Sequence, residues 1–503
     1  MMLIAAVIYL LVFLLLIYKL RFFGLLKDEQ LTPGQFTAFF LLKSLAIPVF
    51  FVVYGQMYGG IEKFDAGIFY SDARALNQLA WLNFKEYLLA MFGLQNDAPG
   101  SYFYDHCLIY TQNWDNGKLK DFFYNDNRLV IRLHSVLHFI AFDSYAVHAL
   151  FNCFLSFTGI FFLYKSFKTF FKGKEILFFM TLCFFPALWF YTGAVLKEGI
   201  TLFVLGRAVY LLKKTVQRDI NAVGLVLLAF LLFISLLLKP YFLCLGLGCF
   251  GTFFVIDRSR FIRYKVMFFA FVMSLAFVAV NILFLQLNGQ SALNMALGQQ
   301  RIFSNASKGG IFLQDETRLL RLNNDTGLIF KTPGKNTFTI RKNSPYMYWE
   351  HHHQYDTLFC SSNTDTVKQY RLVYRAGEGG SNIPIGLYSK NPFSFVSTSI
   401  YYSLFFPMFF NARGLLQVLA SFENAMIVLS LLLVCWGLFQ KKHKHLLPVT
   451  FLFFVVSLCL IVGMTTPNSG AIFRYRSPAV PFLLLSALYY LEPVKMNFFK
   501  RKN

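Results

Sequence analysis

Two aspartates, Asp65 and Asp72, stand in the stretch Tyr54 to Arg74, YGQMYGGIEKFDAGIFYSDAR, where a long apolar run has just ended. Carboxylates at the mouth of an apolar domain can bind a cation or take a proton from an incoming hydroxyl. They also suit a helix start that faces water, and that structural reading stands beside the chemical one. A second set is cationic: Lys197, Lys239, Arg474 and Arg476, each at the edge of an apolar segment. Such cations can hold the phosphates of a lipid-linked substrate, touch lipid headgroups, or pair with acids such as Glu198. Pro478 disfavours helix at Ser477, and an extended backbone there would aim Arg474 and Arg476 the same way at one phosphate.

Elements must hold these groups together. Gly59-Gly60 lets the backbone turn out of the apolar run, and the apolar spacing from Phe69 to Leu89 predicts an amphipathic helix on a membrane surface. A second such helix is expected at 127–142, NRLVIRLHSVLHFIAF, with Arg128, Arg132, His134 and His138 among apolar residues. Over half the chain is apolar, with 63 Phe and 27 Tyr among 503 residues. Apolar runs of about 20 residues alternate with basic clusters, which marks an all-α polytopic membrane protein. The net charge of +22 flanks those runs, so it reports topology and not nucleic-acid binding.

Eleven apolar segments are read, at about 3–20, 35–55, 145–164, 175–193, 198–213, 221–238, 240–257, 266–287, 415–439, 446–465 and 477–493. The first reads as a retained span, because no basic region precedes it and no small-residue cleavage site follows. Lysine and arginine gather in six connections on one side, such as 165–174 and 258–265. The short connections opposite hold only Lys197, Lys239, Arg474 and Arg476. This asymmetry predicts an N-terminus outside and a C-terminus in the cytoplasm, in an inner (plasma) membrane. The expected organisation is two spans in 1–55, an external loop with the acidic motif at 56–144, and a six-helix core at 145–287. A large external loop or small domain follows at 288–413, then three spans and a basic tail at 414–503.

Within the spans, Lys43 must snorkel or face the bundle interior, and Pro186 and Gly193 loosen the segment that holds them. Most cysteines fall in apolar runs, where they act as small hydrophobes; only Cys107 and Cys360 lie in long polar loops. His351-His352-His353 lacks the accompanying ligand spacing of a metal site and reads as polar loop. No phosphate loop, zinc motif or Ser/Cys–His arrangement occurs, so an enzyme of this kind would draw its energy from a lipid-linked donor.

The KFDAGIFYSDAR motif, PALWFYTGAVLKE and RYRSPAVPF at 474–482 together resemble the GT-C superfamily of integral-membrane glycosyltransferases, in particular protein-mannosyltransferase-like and arabinose-transferase-like members. They are also similar to uncharacterised Bacteroidota surface-polysaccharide membrane proteins. The resemblance covers mainly 35–290 and 440–493, and the extra span 3–20 ahead of the acidic loop departs from it. It implies transfer of a sugar or glycan from a polyprenyl-phosphate-linked donor to a glycan, lipid or protein acceptor on the external (periplasmic) face. Asp65 and Asp72 would be catalytic or would hold Mg or Mn, while Arg474, Arg476 and Lys197 bind the donor phosphate. Arg128, Arg132 and His134 would make interface-helix contacts. An O-antigen polymerase or ligase is the nearest alternative, though those families rely on external arginines and a histidine. A flippase or transporter would need ionisable residues near the midplane and related halves, and here only Lys43 and Arg207 sit deep. A structural membrane subunit is a further alternative.

Overall fold

The computed structural model describes residues 2–492 apart from 23, 61–62, 115–126, 297, 299, 301–309, 315–318, 322–328, 332–336, 341–344, 350–354, 360–369, 376–391, 413, 441–445 and 467. The expectations for His351–His353, Cys360 and the basic clusters at 441–444 and 495–502 lie outside the described residues. The chain divides into two compact units, 1–277 with 408–458 and 474–503, and 278–407 with 459–473.

Among the described residues, seven helices are long and apolar enough to cross a membrane. They are α1 (Met2–Phe22), the pair α2 (Pro33–Ser44) and α3 (Ala46–Tyr58), α8 (Tyr145–Phe167), α13 (Pro240–Arg258), α14 (Lys265–Asn288), α16 (Leu415–Phe439) and α17 (Leu446–Thr465). Pro48 accounts for the break between α2 and α3, since its ring clashes with the carbonyl four residues back, on Ser44. The other four segments read as spans fall short of that standard for local reasons. Pro186 divides one into α9 (Glu175–Phe184) and α10 (Pro186–Tyr191), with Phe185 held extended at ψ 126°. The helix α11 (Lys197–Gln217) is 21 residues long but carries Lys197, Glu198, Arg207, Lys213 and Lys214. The helices α12 (Ala222–Leu238) and α19 (Pro481–Tyr490) have only 17 and 10 residues.

The segment between α3 and α8 holds α4 (Asp65–Leu82), α5 (Phe84–Phe92), α6 (Tyr102–His106) and α7 (Asn127–His138). The helix expected over Phe69 to Leu89 is thus two helices, because Asn83 ends α4 in extended conformation and caps α5 by accepting from the Glu86 amide. The predicted 127–142 helix stops at His138, and Phe142 and Asp143 then turn with positive φ. The remaining helices are α15 (Pro392–Leu404) and α18 (Ser469–Arg476). Between α14 and α15 the backbone also runs through strands, where the sequence suggested only a small folded domain. These are β1 (Gly310–Gln314), β2 (Leu319–Arg321), β3 (Ile329–Lys331), β4 (Thr337–Ile340), β5 (Pro345–Trp349), β6 (Tyr355–Phe359) and β7 (Tyr370–Arg375). They form one antiparallel sheet of order β3-β4-β7-β1-β2-β5-β6.

The first unit is built on α8 and α11. Gly199 lies on Asn152, Gly206 on Gly159, and Lys213 Nζ donates to the Ser166 carbonyl at 2.8 Å. The partners advance together along both chains, so the helices run parallel and their N-termini share one end. Small residues let the backbones approach closely where apolar contact alone gives no drive to associate in lipid. A Cβ on Gly206 would sit 2.0 Å from the Gly159 carbonyl oxygen. At the opposite end Lys168 Nζ meets Asp28 at 2.5 Å, and Lys174 donates to the Leu488 carbonyl at 2.8 Å. The basic residues at 27, 165–174 and 213 therefore gather at one end of the bundle, and the Lys197 end of α11 lies at the other. Inside, Lys43 is fully buried and donates to Thr192 Oγ1 at 2.6 Å instead of snorkelling.

Gly206→Val is expected to destabilise the purified protein by about 1–3 kcal/mol or more through overpacking. Gly248, with no atom near its notional Cβ, should accept Val without loss. Thermal unfolding in detergent, monitored by size-exclusion profile, compares the two. Equal behaviour would remove the α8–α11 contact as the constraint.

Candidate functional site

Phe64 enters α4 in extended conformation, φ −127° and ψ 155°, and Asp65 is the first helical residue. An acid in that turn meets the positive end of the helix dipole. Its direct partner is remote in sequence: Arg474 Nη1 lies 2.5 Å from Asp65 Oδ2. The Arg474 charge holds the Asp65 carboxyl below its usual range, against the opposing effect of burial, and Lys197 adds to the depression. The Asp65 side chain stays 52% exposed while Arg474 is 19% exposed, so the carboxylate faces outward and the guanidinium lies behind it.

Behind Arg474 the charges alternate. Its Nη2 donates to the Tyr475 hydroxyl oxygen at 2.9 Å, and its Nε lies 3.8 Å from Glu198 Oε1. The same Glu198 oxygen accepts from Lys239 Nζ at 2.8 Å, and Glu198 is buried. Burial alone would lower the proton affinity of Lys239, but Glu198 outweighs it and keeps the ammonium charged. The Tyr475 ring packs under both cations, 4.7 Å from Lys239 Nζ and 4.9 Å from the Arg474 guanidinium carbon. Lys197 Nζ stands 5.7 Å over the Phe69 ring. The cluster thus sets two carboxylates, Asp65 and Glu198, against three cations, Arg474, Lys239 and Lys197.

Arg476 is not part of it. Both arginines sit in the last turn of a helix and not on extended backbone, so a two-residue spacing points them apart. Arg476 is fully buried, donating to Glu423 Oε1 at 3.1 Å and Asn424 Oδ1 at 2.6 Å. The other Glu423 oxygen accepts from the Ala187 amide at 2.9 Å, which ties α16 and α18 to the start of α10. The expectation of two guanidinium forks on one phosphate is corrected accordingly: Arg474 and Lys197 come together at Asp65, and Arg476 braces the bundle.

Asp72 is likewise separated from Asp65. It is buried, and its two oxygens accept from the backbone amides of Gln112 at 2.9 Å and Asn113 at 2.7 Å. Burial raises its proton affinity, and those amides pull the other way. Two helical turns put roughly 10 Å along the axis between the aspartates, whereas a divalent cation takes its oxygens within about 2.6 Å. The pair does not fit one shared Mg or Mn ion, and among the described residues no group of three or more His, Cys, Asp or Glu converges on a point.

The segment that Asp72 pins leads into Trp114, which is fully buried beneath both Arg128 and Arg132 at 5.2 and 5.1 Å. Arg128 Nε donates to the Trp114 carbonyl at 3.0 Å and Arg132 Nε to the Ala90 carbonyl at 2.8 Å. These arginines clamp the segment between α3 and α8 together. His134 is buried with Nδ1 2.9 Å from His148 Nδ1, and burial, then His138, pushes it down to about 3. One imidazole must donate and the other accept, so His134 is neutral and internal, not a surface contact. Cys107 is a buried thiol pushed up by burial to about 12, which leaves it unreactive.

Glu198 entered the sequence reading only as an acid with which rim cations could pair, and Glu423 was missed altogether. One signal was available, since an acid inside or at the head of an apolar segment requires a cationic partner. The partners, Lys239 and Arg476, cannot be paired with their acids by spacing.

Arg476→Gln is expected to cost about 3–5 kcal/mol because it leaves Glu423 buried without its cation. Arg474→Gln removes a half-exposed pair and should cost far less, so thermal unfolding separates a brace from a site residue. Equal losses would place Arg474 among the braces.

No protein-family model, curated protein or solved structure matches this chain, so the geometry of the Asp65 cluster is what carries a functional reading.

Proposed function

We propose that the protein is a membrane glycosyltransferase of the GT-C kind, moving a sugar or glycan from a polyprenyl-phosphate carrier to an acceptor hydroxyl at the Asp65 end of the bundle. That end is the external face, with the N-terminus outside and the C-terminus in the cytoplasm of a plasma membrane. One observation carries the reading. The acidic motif that follows the first two apolar segments and the Arg-Tyr-Arg motif before the last one meet, through Asp65 and Arg474, beside Lys197.

Transfer forms a bond between acceptor oxygen and anomeric carbon as the bond from that carbon to the phosphate oxygen breaks. The phosphate leaves with the electron pair, and the acceptor proton goes to the base. Asp65, outward and ionised, is that base. Arg474 and Lys197 receive the phosphate charge. A phosphate on Arg474 competes with Asp65 for the same guanidinium, which frees the carboxylate and raises its basicity as the donor arrives. Glu198 and Lys239 hold Arg474 in place from behind, and Asp72 holds the segment that lies along α4.

Asp65→Asn keeps shape but removes the base, and we expect a loss of about 10²–10⁴-fold in transfer from a labelled polyprenyl-phosphate sugar in a defined bilayer. Asp72→Asn should act chiefly through stability. Full transfer by Asp65→Asn at normal protein level would end the proposal.

The pH profile gives an independent test. A base held below its usual range stays active until the pH falls through that depressed value. Removing the Arg474 charge raises it, so the acid limb of Arg474→Gln should shift to higher pH. A limb that does not move would show that the titrating group is not Asp65.

A further inference from the structure

The basic end of the bundle contains a cavity of about 620 Å³ whose lining includes Phe162, Lys165, Arg207, Tyr210, Lys214 and Arg218. Its one acid, Asp219, is an exposed residue that pairs with Lys214 at 3.3 Å. Lys165 spends one donor on the Lys27 carbonyl at 3.2 Å. Topological bias explains basic residues in the connections themselves, but it does not explain Arg207. Arg207 lies six residues before Lys213, about 9 Å deeper along α11. Its guanidinium stacks on Phe162 at 4.2 Å and on Tyr210 at 5.8 Å, and among the described residues it makes no hydrogen bond or ion pair. A guanidinium held at that depth with its donors unspent calls for an anion from outside the protein.

Two further features select the anion. The α12 N-terminus borders the cavity, where Asn221 caps the Gly224 amide at 2.9 Å, and the helix start adds its own partial positive charge. Leu25, Val223 and Leu227 line the same cavity, and Leu25 and Val223 are exposed. A headgroup phosphate and an acyl chain are thereby accommodated side by side. We infer that this cavity binds the phosphate headgroup of an anionic membrane lipid, with Arg207 as its deepest ligand and Lys214 and Arg218 at its mouth. The site occupies the C-terminal half of α11, whereas Asp65 lies near its N-terminal Lys197, and it takes no part in the proposed transfer.

The test uses the full chain in nanodiscs of phosphatidylcholine with rising fractions of phosphatidylglycerol, read by thermal unfolding midpoint. The wild-type midpoint should climb with phosphatidylglycerol. Arg207→Gln should weaken the apparent lipid affinity at least about tenfold, as loss of one charge-assisted contact implies. Arg263→Gln removes an exposed basic residue outside the cavity and should respond like wild type. If Arg207→Gln does not fold in pure phosphatidylcholine, the double variant Lys214→Gln with Arg218→Gln replaces it with the same expected loss. Inorganic phosphate added to phosphatidylcholine discs should have no effect, and an equal climb with it would overturn the lipid assignment. A cavity variant that tracks wild type, or an equal loss in Arg263→Gln, would overturn the site itself.

Discussion

A carboxylate taken out of water must find a cation, and Glu198, buried at the head of α11, imposes that constraint on the whole site end of the bundle. Lys239 from the turn between α12 and α13 and Arg474 from the last turn of α18 both converge on it. Arg474 then has donors left over, and they reach the first residue of α4. Three parts of the chain that are far apart in sequence are brought to one point by the demand of a single buried charge. The Asp65–Arg474 pair is the outer end of that chain, where solvent begins and the attraction weakens.

The same rule, applied to polar groups, positions α4. The buried carboxylate of Asp72 needs donors, and the backbone amides of Gln112 and Asn113 supply one to each oxygen. Asn77 donates to the Ser135 carbonyl at 2.9 Å, fixing α7 against α4. Arg128 and Arg132 close over Trp114 from the far side. The position of α4, and with it Asp65, therefore rests on contacts made elsewhere in the segment, among them those of Asp72, Arg128 and Arg132.

At the basic end the charges are arranged differently. Asp28 gathers Lys168 and Tyr164, and carbonyl oxygens absorb Lys165, Lys174 and Lys213. Arg207 alone among these deep cations is met by aromatic faces and not by oxygen. The parallel helices α8 and α11 link the two ends, and their glycine contact at Gly159 and Gly206 sets how closely they approach.

Class and rough architecture were determined by the sequence alone, because apolar length and lysine bias are local quantities that each segment carries in itself. Pro186 announced its break, and the acidic motif, Lys197 and Arg474 were all visible as charges at the edges of apolar segments. The sheet between α14 and α15 was hidden because its strands are only three to six residues long and lie among polar residues. Only the tertiary structure decided which charge meets which. It joined Asp65 to Arg474, pointed Arg474 and Arg476 apart by about half a helical turn, and sent Asp72 to backbone amides. It also revealed Glu423 as the partner of Arg476. Pairing is a property of distance in space, and the energy that enforces it, the cost of a lone charge away from water, is felt only once the helices have packed.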